Sequence, residues 1–285
     1  MKRFLLNLIF VISLLELNAQ KNITIFVLDS LSNQPLQLLK ISVAGKNSGD
    51  YTDAKGYIHF ENLEIKDTLL IENIFYQPKY LLVKNLNTNQ KILLCPSPII
   101  INDITVKPLK NRTIEIGFSK LLSNGSFGTM VVGTEISVLI KPTNSKEARI
   151  KAIILKFKRN PKNNSLIKIH LYQNEKGKVG KEIYLVENLI TLSEIKEDRF
   201  YIEKQEILLP HEGVFVSMEW IGKNKVNGEN YTVAEFKSSP SLKTNTHHKT
   251  KTAVYYKTFD NWEPLTVNGK NLVPLFGLLV ENQKK

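Results

Sequence analysis

From Ile23 onward the apolar residues of this chain recur at every second position. They come in runs too short and too closely punctuated for helices, and that pattern admits a β fold and little else. The first runs are Ile23 to Leu28, Lys40 to Ala44, Tyr57 to Phe60, Thr68 to Glu72, Tyr80 to Val83, Lys91 to Leu94 and Ile104 to Val106. Between them lie clusters that favour turns: Ser30 to Pro35, Gly45 to Asp50, Asp53 to Gly56 and Asn85 to Asn89. Parallel neighbours would need connections of about a dozen residues, so strands this close must pair mainly antiparallel. The spacing predicts a seven-stranded immunoglobulin- or prealbumin-like sandwich over residues 20–108.

A junction follows over residues 109–134, opened by Pro108 and containing the Gly- and Ser-rich stretch Asn124 to Gly128. Alternation returns at Glu135. Ile136, Val138 and Ile140 share one strand face, Ile153, Leu155 and Phe157 another, and Ile167, Ile169 and Leu171 a third, with Lys168, His170 and Tyr172 pointing away. The run from Val214 to Ile221 is apolar on both sides, which predicts a central strand with Trp220 in the core. Further strands are expected at Ala253 to Phe259 and Pro274 to Val280, with polar loops at 158–165, 173–181 and 222–250. The whole chain reads as all-β, its second part (135–285) as a jelly-roll-like β-sandwich of about eight strands. A length of 285 residues accommodates two such domains, each with its own core.

Residues 1–19 read as a secretory signal peptide: Lys2 and Arg3 precede an apolar run from Phe4 to Leu15, and Ala19 offers a cleavage point. That run is shorter than the roughly 20 residues a spanning helix needs, and no later segment is longer, so no transmembrane segment is expected in the mature chain. Export follows, to the periplasm, the outer membrane or the medium. The net charge of +12 is uneven, because residues 21–107 hold 9 Lys against 8 acidic groups and the excess lies beyond them. Arg occurs only at positions 3, 112, 149, 159 and 199, too few for a nucleic-acid reader that depends on bidentate guanidinium contacts. Cys95 is the single cysteine, which excludes an internal disulfide and any multi-cysteine metal site.

Within the first sandwich, the line Val27-x-Asp29, Gln34-Pro35-Leu36, Ile41-x-Val43-x-Gly45, Gly49-x-Tyr51-Thr52-Asp53-x-x-Gly56-Tyr57, Asp67-Thr68-Leu69 and Tyr76 resembles a carboxypeptidase-regulatory-like domain over residues 22–107. The resemblance implies a non-catalytic accessory sandwich found at the front of exported bacterial proteins. In the second half, Glu135-Ile136, Ile169-His170-Leu171-Tyr172, Gly180-Lys181-Glu182 and Gly213 to Ile221 are similar to a C-terminal β domain of unknown role often fused to that module.

No catalytic, metal or cofactor signature is found. His247 and His248 are adjacent in an extended segment, so they point to opposite sides, and His211-Glu212-Gly213 lacks the second His of a zinc-protease helix. Ser126 between glycines misses the nucleophile-elbow spacing, Asp50 and Asp53 are too few for calcium, and Cys95 reads as a half-buried structural residue. For binding, Trp262 with Tyr255 or Tyr256 offers aromatic faces to a glycan; Tyr255 and Tyr256, being neighbours on a strand, point to opposite sides. The reading is an exported cell-envelope protein with a non-catalytic binding or docking role toward an envelope glycan or protein. Two alternatives stand beside it: a glycan hydrolase using carboxylates of the second half, Glu219 first among them, and an assembly factor acting by strand addition.

Overall fold

The computed structural model describes residues 20–97, 112–128, 131–143, 148–158, 165–186, 190–202, 206–223, 240–246, 252–267 and 270–282. Residues 1–19, expected to be a signal peptide, the run Ile104 to Val106 and the pair His247-His248 lie outside the described residues. The described chain is β throughout, with two short 3-10 turns at Val83–Asn85 and Leu192–Glu194.

The first body has strands β1 (Gln20–Asp29), β2 (Lys40–Val43), β3 (Gly49–Tyr51), β4 (Tyr57–Glu64), β5 (Thr68–Asn73), β6 (Tyr76–Leu82) and β7 (Asn89–Leu94). They form two sheets, ordered β4-β1-β7 and β3-β2-β5-β6. All pairings are antiparallel except β1 with β7. Ile23, Ile25 and Val27 of β1 are fully buried against Ile41, Leu69 and Ile71 of the other sheet. Each such side chain contributes roughly 1.5–3 kcal/mol. β3 arises in a stretch whose composition suggests only a turn, and it carries Tyr51.

The turn before β4 follows from its sequence. Asp53 Oδ1 accepts from the N–H groups of Lys55 and Tyr57 at 2.9 and 2.8 Å, and Gly56 sits at φ +79°. A Cβ there would meet the Val27 carbonyl oxygen at 2.7 Å. Gly56→Ala is therefore expected to lose about 1–3 kcal/mol, left-handed strain plus contact, in urea unfolding followed by circular dichroism.

The second body contains β8 (Arg112–Gly117), β9 (Gly125–Gly128), β10 (Thr134–Ile140), β11 (Ala148–Leu155), β12 (Ser165–Glu175), β13 (Lys178–Leu185), β14 (Ile190–Thr191), β15 (Arg199–Tyr201), β16 (Ile207–Leu209), β17 (Val214–Lys223), β18 (Ser241–Asn245), β19 (Val254–Thr258), β20 (Glu263–Pro264), β21 (Thr266–Val267), β22 (Lys270–Asn271), β23 (Val273–Pro274) and β24 (Phe276–Asn282). One sheet runs β13-β12-β17-β10-β19-β20 with β14 also on β12; the other runs β15-β11-β24-β8 with β16 also on β11. Their facing sides share one core, in which Trp220, Phe276, Ile169 and Val216 are fully buried. β17 is central, flanked by β10 and β12.

Three expectations change. The stretch 109–134 is not merely a junction, since β8 within it pairs with β24 along six residues and β9 pairs with β18. The segment 173–181 is a hairpin rather than a loop: Lys176 and Gly177 both have positive φ (54° and 90°), the two-residue turn that matches strand twist, and Asn174 Oδ1 accepts from the Gly177 N–H at 2.7 Å. Cys95 is exposed, because it follows buried Leu94 by one position on β7's line and faces out.

Candidate functional site

The site lies on the side of the second body's larger sheet that faces away from its core. Strand register sets a row of four residues across that sheet: Lys168 opposite Glu219, Glu219 opposite Glu135, and Glu135 opposite Lys257. Two carboxylates directly opposite each other repel, and a lysine on each flank offsets this. The next row holds His170, Ser217, Ser137 and Tyr255. Lys168, His170 and Tyr172 do point away from that core: Lys168 reaches the first body, its Nζ lying 5.8 Å from the Tyr51 ring centre, while His170 and Tyr172 are buried, Tyr172 among second-body side chains that include Phe215 and Trp262.

Each central carboxylate has three partners. Glu219 receives hydrogen bonds from Lys40 Nζ and Tyr51 Oη, both 2.8 Å from its Oε1, and pairs through Oε2 with His170 Nε2 at 3.3 Å. Lys40 and Tyr51 are cross-strand partners on β2 and β3, so the first body supplies two of these three groups. Glu135 receives hydrogen bonds from Tyr172 Oη at 2.8 Å and Ser217 Oγ at 2.6 Å, and pairs with Lys257 Nζ at 3.0 Å. His170 Nδ1 lies 2.6 Å from Glu182 Oε1, which places the imidazole between two carboxylates. Lys168 Nζ donates to the Leu38 carbonyl at 2.7 Å.

Burial by itself would neutralise these groups, and their mutual charges decide otherwise. For Glu219, burial pushes the carboxyl up, but Lys40 and His170 outweigh it and hold it well below the usual range. Glu135 is likewise lowered, with Lys257 and then His170 overcoming burial. Burial also disfavours the His170 cation, yet Glu135 and Glu182 raise the ring to about 9. Lys168 is the exception, because burial outweighs the pull of Glu219 and lowers it.

Beside this network opens a cleft of about 970 Å³ between the two bodies. Its first-body wall is the outer face of the β2-β5-β6 sheet, including Ser42, Leu70 and Pro78, and its second-body wall includes the edge of β13 and Trp262. Trp262 is half-buried, its ring T-shaped to Tyr172 with centres 5.7 Å apart and Lys257 Nζ 4.3 Å from its ring centre. Of the two tyrosines considered with it, Tyr255 packs against the same Leu139–Tyr172–Phe215 cluster as Trp262, and neither Tyr255 nor Tyr256 lines the cleft. Tyr255 shares the outer sheet face but packs edge-on to Phe215 at 5.8 Å and donates to the Gly177 carbonyl; Tyr256 turns toward the core and donates to Glu263 Oε2. The tyrosine in ring contact with Trp262 at the cleft is Tyr172.

No sequence motif marks this cluster, yet Glu182 and Glu219 both lie against His170, and Glu135 stands opposite Glu219 across the strands. Among the described residues no group of three His, Cys, Asp or Glu is placed to hold a metal ion. No helix among them is long and apolar enough to cross a membrane.

No family model matches the chain, and no curated protein matches it. Among solved structures it is similar to the crystal structure of "a putative carbohydrate binding protein from Bacteroides uniformis". That match covers 93% of this chain and 99% of the other, at 10% identity and a TM-score of 0.24. A likeness of that depth settles neither fold nor function.

Proposed function

We propose that this is an exported binding protein of the bacterial cell envelope, and that it holds a carbohydrate in the cleft between its two bodies without breaking it. The first body, carboxypeptidase-regulatory-like by its residue pattern, serves as one wall of the site rather than as a remote spacer. The observation that carries this reading is the cleft itself, at the upper end of the ~300–1,000 Å³ usual for ligand sites, with an indole on one wall and fixed polar groups converging beside it. Sugars present apolar ring faces and polar edges, which such a wall matches. Export is supported by the composition of residues 1–19.

A hydrolase is the second reading, favoured by the Glu182–His170–Glu219 constellation. Against it stands the direction of the carboxyl shifts. A glycosidase needs one acid held protonated near neutrality, whereas Glu135 and Glu219 are both held ionised by lysines. The test is a glycan array followed by a reducing-end assay on every glycan that binds. Binding without new reducing ends is expected, and Trp262→Ala weakens it about tenfold or more. New reducing ends that vanish in Glu219→Gln would establish the hydrolase instead.

A further inference from the structure

The first-body wall of the cleft does not stop at the cleft. β5 and β6 are paired with Leu70 opposite Tyr80, and Pro78 lies two positions from Tyr80, so the three share the outer face of that sheet. Leu70 and Pro78 line the cleft, while Tyr80 stands just outside it with 62% of its surface exposed. A large exposed aromatic side chain on the same sheet face as two lining residues extends that face beyond the cleft. The inner side of the same strand is anchored, since Leu81 is buried in the first body's core.

Charge narrows what fits there. Among the described residues, five carboxylates on the cleft wall face four lysines and His170, which the Glu135 and Glu182 charges keep protonated. The wall is thus balanced, although the second half of the chain is strongly basic overall. A polyanion gains nothing from a balanced wall, while a neutral polyol finds both acceptors and donors for its hydroxyls.

Resting on the carbohydrate reading above, we infer that the ligand is a linear, uncharged oligosaccharide long enough to run from Trp262 in the cleft out over the Leu70–Pro78–Tyr80 face. The cleft takes one end of the chain and Tyr80 provides a separate outer subsite. Calorimetric titration of the full chain with disaccharides and hexasaccharides of four neutral series (cello-, malto-, laminari- and chito-oligosaccharides) tests this. In at least one series the hexasaccharide is expected to bind about fivefold to tenfold more tightly than the disaccharide, one stacked ring's worth of affinity. Tyr80→Ala removes that gain and leaves disaccharide binding unchanged; Tyr80→Phe restores it. Equal affinity for both lengths, or a gain that survives in Tyr80→Ala, overturns the outer subsite while leaving the cleft intact. Failure of every oligomer to bind overturns the cleft reading together with it.

Discussion

Glu219→Ala is expected to unfold with a free energy about 3–5 kcal/mol below that of the parent protein, because it leaves buried cations without their counter-charge. Lys40, with 19% of its side chain exposed, loses its ion pair at 2.8 Å, and His170 loses one of its two carboxylates. Glu219→Gln keeps an acceptor for Tyr51 but removes the charge, so it falls between the two. Combining Glu219→Gln with Lys40→Met then loses less than the separate losses added together, since neither partner remains unpaired. Denaturant titration across pH gives the second readout. His170 is raised from 6.5 to about 9, so its contribution is full below 6.5 and is lost as pH rises through about 9. Glu135 and Glu219 are lowered from 4.5, so theirs is full above that value and is lost as pH falls through their depressed values. The parent protein is therefore most stable between these limits, and the alkaline decline becomes shallower in Glu219→Ala. A loss below about 1 kcal/mol with an unchanged alkaline limb would mean that the network is loosely solvated and holds nothing together.

Period-2 alternation made the strands legible, and it made Trp220 a core residue and β17 a central strand, because a strand apolar on both sides has to be covered on both. It could not reveal what covers the second side. Lys168, His170 and Tyr172 alternate with Ile167, Ile169 and Leu171, and a polar strand face ordinarily meets water. Here Lys168 meets the Leu38 carbonyl and the Tyr51 ring, and the neighbouring Glu219 meets Lys40 and Tyr51, all more than 100 residues away in sequence and placed by how the two bodies pack. Glu219 drew notice as a carboxylate in an apolar run, and that was the usable signal: a charge in such a run is expected to be paired. Glu135 carries the same signal in Thr134–Ile140, a strand buried at every position, but only the register sets it opposite Glu219. Tyr51 was hidden because its strand is three residues long within turn-forming composition.

The joint between the bodies should depend on Phe259 nearly as strongly. This residue is buried among Tyr51, Leu166 and Ile221, from both bodies, and its ring sits so close to Gly49 and Gly133 that a Cβ on either would come within 2.6 Å of it. It also holds φ +66°, a left-handed conformation that a bulky side chain rarely adopts, fixed in part by its N–H to the Gly133 carbonyl. Phe259→Ala is expected to lose about 3–5 kcal/mol in denaturant unfolding, the range for truncating a buried aromatic. The backbone strain gives this loss a distinguishing mark. At an ordinary position glycine is less stable than alanine by roughly 0.5–1 kcal/mol, but at positive φ the order reverses, so Phe259→Gly should be more stable than Phe259→Ala. Because Phe259 and Asp260 also line the cleft, and Asp260 Oδ2 accepts from the Gly45 N–H across the joint, both variants weaken ligand binding as the two walls lose their fixed separation. If Phe259→Ala lost stability while binding held at its parent strength, the cleft would be formed by the second body alone, and the first body would have no part in recognition.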